Sequence, residues 1–368
     1  MSLQTSMIQC AALGLTTILP LERCVAANMV QGEPPPIDAT VVEERPGYNS
    51  WPMIQNIGNR VICVYSCGMR HTIHEGERDT FAKYSDDNGA TWSRPYPVAA
   101  RATDGEVAIG KGLDSTGAAL FWIRCFNKNG RCHELYRTAD GENWKLITTL
   151  AKLSPNPMQI TDIFPVPGVG LMAFWFATDY KHDTKNSSWG VMTSQDDGIT
   201  WKQQIVEDNL PLAELPAEQC GVYIGNGRIL ALGRTQAAGN QFQLVSADSG
   251  KTWKKYRTNI SDVNSSTPSL VYDKNSGVVR NYYYWRGHRQ LRLRTADANA
   301  VFGNPKIWGE AVKVANGNET EVTWDAGNVN VTATTFGDFA AYYSGTNSRT
   351  ASIYVKVLPK KDIEKQSR

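Results

Sequence analysis

Three stretches of this chain repeat one eight-residue pattern, Ser-x-Asp-x-Gly-x-Thr-Trp, at Ser85–Trp92, Ser194–Trp201 and Ser246–Trp253. A fourth copy, Thr138–Trp144, is one residue shorter, and a fifth, Thr295–Asp297, keeps only its opening residues. Repetition at this scale means that one supersecondary unit is used several times. Within the pattern, Asp accepts hydrogen bonds from backbone N–H groups, Gly accepts positive φ, and Ser and Thr add side-chain bonds to the same turn. The Trp then plugs the turn into the apolar layer beneath. Each copy follows a strand-like run, such as Phe81–Tyr84, so each reads as a stapled β-hairpin turn.

The spacing of strands extends the repeat to the whole chain. Candidate opening strands begin near Ser50, Gly105, Met158, Glu218, Ser266 and Asp325, in steps of 55, 53, 60, 48 and 59 residues. After each comes a polar or Gly-rich turn and a second, apolar strand: Val61–Tyr65, Ala119–Ile123, Leu171–Phe176, Ile229–Leu232, Asn281–Trp285 and Phe339–Tyr343. Four short strands every 50 to 60 residues predict an all-β chain, a six-bladed β-propeller with the repeated turns between third and fourth strands. The predicted organisation is an apolar segment and Pro-rich linker over residues 1–39, the propeller over 40–360, and a charged tail over 361–368.

Composition excludes several classes. With 38 basic and 36 acidic residues, net charge +2, nothing suggests nucleic-acid binding. Residues 7–30 lean apolar, but Glu22 and Arg23 interrupt them, so a membrane span is not expected; a signal peptide stays open as a reading but would lack its positive n-region, since no basic residue precedes them. The segment is read as a packing or oligomer contact, with a homotrimer as one arrangement. Seven Cys without a tight framework argue against a disulfide scaffold; Cys125 and Cys132 either close a hairpin or stay as buried thiols. No metal site is expected, because His71 and His74 lack an evident third ligand, and no cofactor is called for.

Inner strands of a propeller line a central channel, so residues at the matching ends of second strands converge although distant in sequence. Arg70, Arg124, Arg234 and Arg286 occupy that position. Guanidinium grips carboxylate through two parallel hydrogen bonds, so clustered arginines point to an anionic ligand. The loop after the first blade's second strand adds His71, His74, Glu75, Arg78 and Asp79, a density of titratable groups suited to general acid catalysis. Arg70 is expected to contact the ligand, with His74 or Asp79 as acid. Glu106 and Asp162 open the inner strands of blades two and three and either line the site or bond nearby amides.

The repeated turn is the Asp-box, and the chain resembles the sialidase family and other Asp-box propellers. That family holds a sugar carboxylate with three arginines. Its second ends a Gly-Arg-Leu-Leu-type strand about fifteen residues after a Glu; here Gly227–Arg234 follows Glu218 by sixteen, and Arg286 lies 52 residues further on. The resemblance therefore implies roles for Glu218, Arg234 and Arg286. It departs at two places: Ser50 in Asn49–Pro52 stands where the first arginine is expected, and Asn328 in Trp324–Asn328 where the nucleophilic tyrosine is expected. These losses resemble the endosialidases of phage tail spikes. The resemblance implies a glycoside hydrolase acting on sialic-acid-containing or related acidic glycans, in an extracellular or virion-associated setting. The retained Glu218 favours catalysis; the missing tyrosine favours a lectin-like binding propeller, and a protein-interaction propeller is the third reading.

Overall fold

A computed structural model of the chain describes residues 33–71, 77–180, 184–236, 239–263, 265–320, 326–347 and 349–366. The apolar segment at 7–30 and His74 lie outside the described residues. The strands group into antiparallel sets of four. The first is β2 (Tyr48–Ile57), β3 (Arg60–Gly68), β4 (Arg78–Ser85) and β5 (Tyr96–Ala99), after β1 (Thr40–Glu43). The second is β6 (Gly105–Leu113), β7 (Ala119–Asn127), β8 (Gly130–Thr138) and β9 (Lys145–Leu150). The third is β10 (Gln159–Val166), β11 (Gly170–Ala177), β12 (Ser187–Ser194) and β13 (Lys202–Leu210). The fourth is β14 (Ala217–Gly225), β15 (Arg228–Arg234), β16 (Phe242–Ser246) and β17 (Lys254–Arg257). The fifth is β18 (Ser269–Asp273), β19 (Val278–Trp285), β20 (Gln290–Asp297) and β21 (Val312–Asn316). The sixth contains β22 (Gly327–Ala333), β23 (Gly337–Asn347) and β24 (Thr350–Pro359).

The sixth set takes its fourth strand from the other end of the chain. β1 pairs antiparallel with β24, Thr40 opposite Val355 and Glu43 opposite Ile353, which covers an edge that would otherwise stand open. The first strands touch in the order β2, β6, β10, β14, β18, β22, and β22 returns to β2. The first, second and sixth sets are also joined by single-residue parallel bridges, Tyr48 with Ala351 and Arg78 with Gly105.

Burial follows from this order. Middle strands lie between neighbouring sheets and are apolar on both faces, as in β11, Gly-Leu-Met-Ala-Phe-Trp-Phe-Ala, buried from Leu171 onward. The outermost strand β13, Lys-Gln-Gln-Ile-Val-Glu-Asp-Asn-Leu, is polar and largely exposed. The repeated turns fall between third and fourth strands, as expected. In the third set, Ser194 Oγ donates to Asp196 Oδ1 at 2.8 Å and accepts from Gly198 N at 2.9 Å. Asp196 accepts from Thr200 N at 2.9 Å and Thr200 Oγ1 at 2.6 Å, and Trp201 Nε1 donates to Gly198 O at 2.9 Å. The turns beginning at Ser85 and Ser246 repeat the Ser–Asp–Gly–Thr bonds. In the short copy Asn143 replaces Thr, its N and Nδ2 bonding Asp140 at 2.8 and 2.7 Å.

Each turn also staples its sheet to the preceding one. A Cβ on Gly198, whose φ is +91°, would stand 2.6 Å from Leu135 of the second set; one on Gly250, φ +88°, would stand 2.5 Å from Met172 of the third. Trp201 packs against Trp122 with ring centroids 5.3 Å apart, and Trp253 against Phe174 at 5.1 Å. The degenerate fifth copy makes no such turn. Asp297 instead caps the short helix Ala298–Gly303 by accepting from Ala300 N at 2.8 Å. Buried Trp308 takes over the plug, donating to Gln243 Oε1 of the fourth set at 3.0 Å. Between the fifth and sixth sets the link is ionic: Arg280 makes two bonds to Asp338, at 2.6 and 3.0 Å. The charged end of the chain forms a helix, Lys360–Gln366, with Ile363 buried. No helix among the described residues is long and apolar enough to cross a membrane.

Two outcomes follow. Trp253→Ala empties a slot between Phe174 and Trp189 and should cost about 3 kcal/mol, read by urea unfolding followed by circular dichroism. The box aspartates titrate low: hydrogen bonds from the Thr91 hydroxyl and N–H hold Asp87 at about 2, and bonds from Asn143 outweigh burial to hold Asp140 at about 2. A depressed carboxylate contributes stability that is complete above its ordinary value, 3.8 here, and is lost as pH falls through the folded value. Calorimetry should therefore show Tm falling steeply between about pH 4 and about pH 2, and less so in Asp87→Asn.

Candidate functional site

The first strands do not run regularly where they begin. β2 slips register between Ser50 and Met53, β6 between Ala108 and Gly110, β10 between Ile160 and Ile163, β14 between Ala217 and Cys220, and β22 between Gly327 and Asn330. A bulge places two residues opposite one and re-aims side chains. Inside three of these bulges a non-glycine residue has positive φ: Trp51 at 53°, Glu218 at 44° and Asn328 at 30°. Such conformations are costly and persist where the surroundings impose them. Trp51, Asp162, Glu218 and Asn328, all from bulges, line one cavity of about 750 Å³. It opens at the starts of first strands and ends of second strands, the end of the sheets opposite the repeated turns.

Glu218 lines this cavity, buried to 9% exposure. Arg234 Nη1 donates to both carboxylate oxygens at 2.9 Å, and Thr267 Oγ1 donates to Oε2 at 2.5 Å. Thr267 Oγ1 also stands 3.2 Å from Asn328 Oδ1, which accepts from Arg286 Nη2 at 2.7 Å. Arg286 Nε donates to Ala326 O at 2.9 Å. The fourth, fifth and sixth sets thus meet in one polar chain, Arg234–Glu218–Thr267–Asn328–Arg286. Burial by itself would raise the pKa of Glu218. Arg234, the Thr267 hydroxyl and Arg286 outweigh it and hold the carboxyl below its ordinary value. Glu218 is therefore an anion, able to accept a proton or face a developing positive charge.

Arg234 and Arg286 converge on the same carboxylate although 52 residues separate them. Arg234 lines the cavity but is already paired with Glu218, while Arg286 stands behind Asn328 and is not among the lining residues. Arg124 lines the cavity, buried, donating to Met158 O at 2.7 Å. Asp162 lines it as well, bonded to Asn330 Nδ2 at 3.0 Å and 3.5 Å from Lys111 Nζ.

Besides Arg286, three expected residues do not line the cavity. Arg70 is exposed at the surface, 3.3 Å from Glu77. Asp79 follows Arg78 on β4 and so points to the opposite face of the sheet; burial raises its pKa, but no lining position is its own. Glu106 is buried against Arg101, whose Nε is 2.9 Å away, and burial lifts it to about 7 outside the cavity.

Other residues enter without having been expected as ligand contacts or as the acid. His71 lines the mouth with its ring edge-on to Trp51 at 5.2 Å. Tyr180, φ 59°, lines the wall. Arg78 is fully buried beside Trp51, donating to Ser50 Oγ at 3.1 Å and lying 4.6 Å from the Trp51 ring. It brings a guanidinium from β4 to the serine that stands where the resemblance expects an arginine. One cluster among the described residues has metal-ligand spacing, Cys125, Cys132 and Glu134, but Arg101 sits against it, 2.9 Å from Glu134 and 3.0 Å from Cys125 Sγ.

A model of the BNR/Asp-box repeat matches residues 83–94. No curated protein matches the sequence. A protein of unknown function from Dyadobacter fermentans is 14% identical and superposes over 88% of this chain and 100% of its own with a TM-score of 0.67. Trypanosoma rangeli sialidase, solved with sialic acid, is 15% identical over 92% of this chain, with a TM-score of 0.61. The chain spans 61% of that sialidase. The endosialidase of phage phi92 is 12% identical over 88% of this chain and 69% of its own, with a TM-score of 0.60. The chain carries the Asp-box repeat on a sialidase-like, all-β fold.

Glu218→Ala would strand Arg234 with its buried charge unmatched. The variant should lose about 3 kcal/mol of stability, measured by urea unfolding.

Proposed function

We propose that the six four-stranded sets are the blades of a six-bladed propeller and that the cavity binds and hydrolyses an acidic, sialic-acid-containing glycan. One observation carries this reading: a buried glutamate kept ionised by two arginines and a threonine, in a cavity large enough for a sugar and walled by Trp51 and Tyr180. Glycosidic cleavage passes through an oxocarbenium-like state, and a fixed carboxylate beside the anomeric carbon stabilises that charge or takes the proton of an attacking water. Asn328 offers no nucleophile. The route supported is therefore attack by water activated at Glu218, not a tyrosyl intermediate. The leaving oxygen needs an acid, and the loop after β3 supplies the candidates: His71 at the mouth, with His74 in the same loop. Aromatic faces at Trp51 and Tyr180 suit the C–H face of a pyranose.

The lectin reading rests on a separate observation. Asn328 ties Arg286 to Thr267 and fills the place of the expected nucleophile, so the same polar chain would hold an acidic sugar without turning it over.

Polysialic acid and a fluorogenic sialoside, each incubated with the protein, separate the readings. Hydrolysis is expected, reduced about 10³-fold in Glu218→Gln and less steeply in His71→Ala. Shortened chains without free monomer would identify endo-cleavage. Binding without turnover, lost in Arg234→Ala, would establish the lectin; neither binding nor turnover would overturn both.

A further inference from the structure

The arginines of this protein divide by what neutralises them. Arg234 faces Glu218, Arg280 faces Asp338, and Arg292 and Arg294 share Asp262. Arg124 and Arg131 differ. Arg124 is 7% exposed and donates to the carbonyl oxygen of Met158; Arg131 Nη2 donates to the carbonyl of Asn156 at 2.9 Å. Both partners are neutral, and among the described residues neither guanidinium has a carboxylate within ion-pair distance. The buried Nε of each has no acceptor.

They belong to one surface. In the β7–β8 ladder Arg124 is opposite His133, and Phe126 is opposite Arg131. Alternation along a strand places all four side chains on the same face. His133 is fully buried, and neither ring nitrogen has a hydrogen-bond partner. Burial and the two arginines push its pKa well below the ordinary value, so it is neutral. Burial likewise lowers Arg124, to about 10, and lowers Arg131. Arg124 and Met158 line the cavity; Arg131 lies behind them, its Nη1 3.4 Å from Met158 Sδ, and Glu218 acts on Arg124 from a distance without pairing with it. Tyr180 lies within electrostatic reach of both arginines and of Glu218 and Arg234. Leaving such charges unmatched is expensive, and an incoming oxyanion would offset that cost.

We propose that Arg124 and Arg131, backed by His133, form a second anion subsite that takes the carboxylate of a sugar adjoining the one held over Glu218. This rests on the glycan reading above and narrows it. The ligand carries negative charge on neighbouring sugars, as an acidic polymer does, and a single terminal acid fills only part of the site. The two fixed forks match carboxylate geometry, and their distance from water strengthens the pairing.

Calorimetry on the full chain tests this with N-acetylneuraminic acid, an oligomer of it, and oligogalacturonate as an acidic glycan without sialic acid. The fold of Arg124→Met/Arg131→Met is checked first, with Tm expected at or above that of the parent because charges without partners are removed. If it fails to fold, Arg131→Lys, which keeps the charge and loses the fork, replaces it. The double variant should bind the sialic acid oligomer roughly 10- to 100-fold more weakly, a greater loss than monomer binding suffers. In the parent, the oligomer should also move the imidazole ¹⁵N resonances of His133, assigned with His133→Gln, and the monomer should not. Oligomer binding that ignores both arginines, or monomer binding lost in equal measure, overturns the subsite and leaves the glycan reading standing. Oligogalacturonate that binds and moves His133 while both sialic acid ligands fail keeps the subsite and overturns the sialic acid reading. No binding and no shift with any of the three overturns both.

Discussion

A four-stranded meander whose middle strands are apolar on both faces has no side to turn toward water. Every such sheet must be covered front and back by others, and this requirement organises the chain. β11 is the plainest case, buried from Leu171 onward, between strands that end in the exposed β13. The repeated turns serve the same need. Their glycines and tryptophans reach back to the preceding sheet at Leu135, Trp122, Met172 and Phe174, so each hairpin tip is also a contact between neighbours. Covering all sheets leaves no free first or last member. The contact of β22 with β2 and the loan of β1 to β24 meet that condition.

Packing each sheet on the next brings their first strands into contact, and the crowding bears on the chemistry. Five of the six first strands bulge near their starts, and the bulges hold Trp51, Asp162, Glu218 and Asn328 at the cavity. Backbone with positive φ at Trp51, Glu218 and Asn328 persists where the packed surroundings impose it. The resulting chain of polar contacts spans three sets and keeps one carboxylate ionised. A second concentration of charge, on the β7–β8 face, has no anion of its own. The cavity therefore carries an ion-paired glutamate and, at Arg124, a guanidinium hydrogen-bonded to a carbonyl oxygen.

Much of this was legible in the residues. The opening strands expected near Ser50, Gly105, Met158 and Glu218 begin within two residues of those positions, because turn residues and apolar runs are local signals. The spacing of Glu218, Arg234 and Arg286 led to groups that do meet. Arg70, Asp79 and Glu106 misled for a common reason: sequence places a residue at the end of a strand but does not say which face it takes once bulges shift the register, nor which neighbour claims it. Glu106 was claimed by Arg101, and Arg70 by Glu77. Arg78 carried no signal beyond membership of a charged loop, since its contact with Ser50 crosses from one strand to another 28 residues away.

By itself the sequence determined the repeating unit, its strand order and its stapled turns, because these depend on side chains reaching backbone two to four residues away. The tertiary structure decided which strand closes the last sheet, which arginines are neutralised and which are left without an anion. Those outcomes depend on bulges and on contacts between sheets far apart in sequence, and no local pattern encodes them.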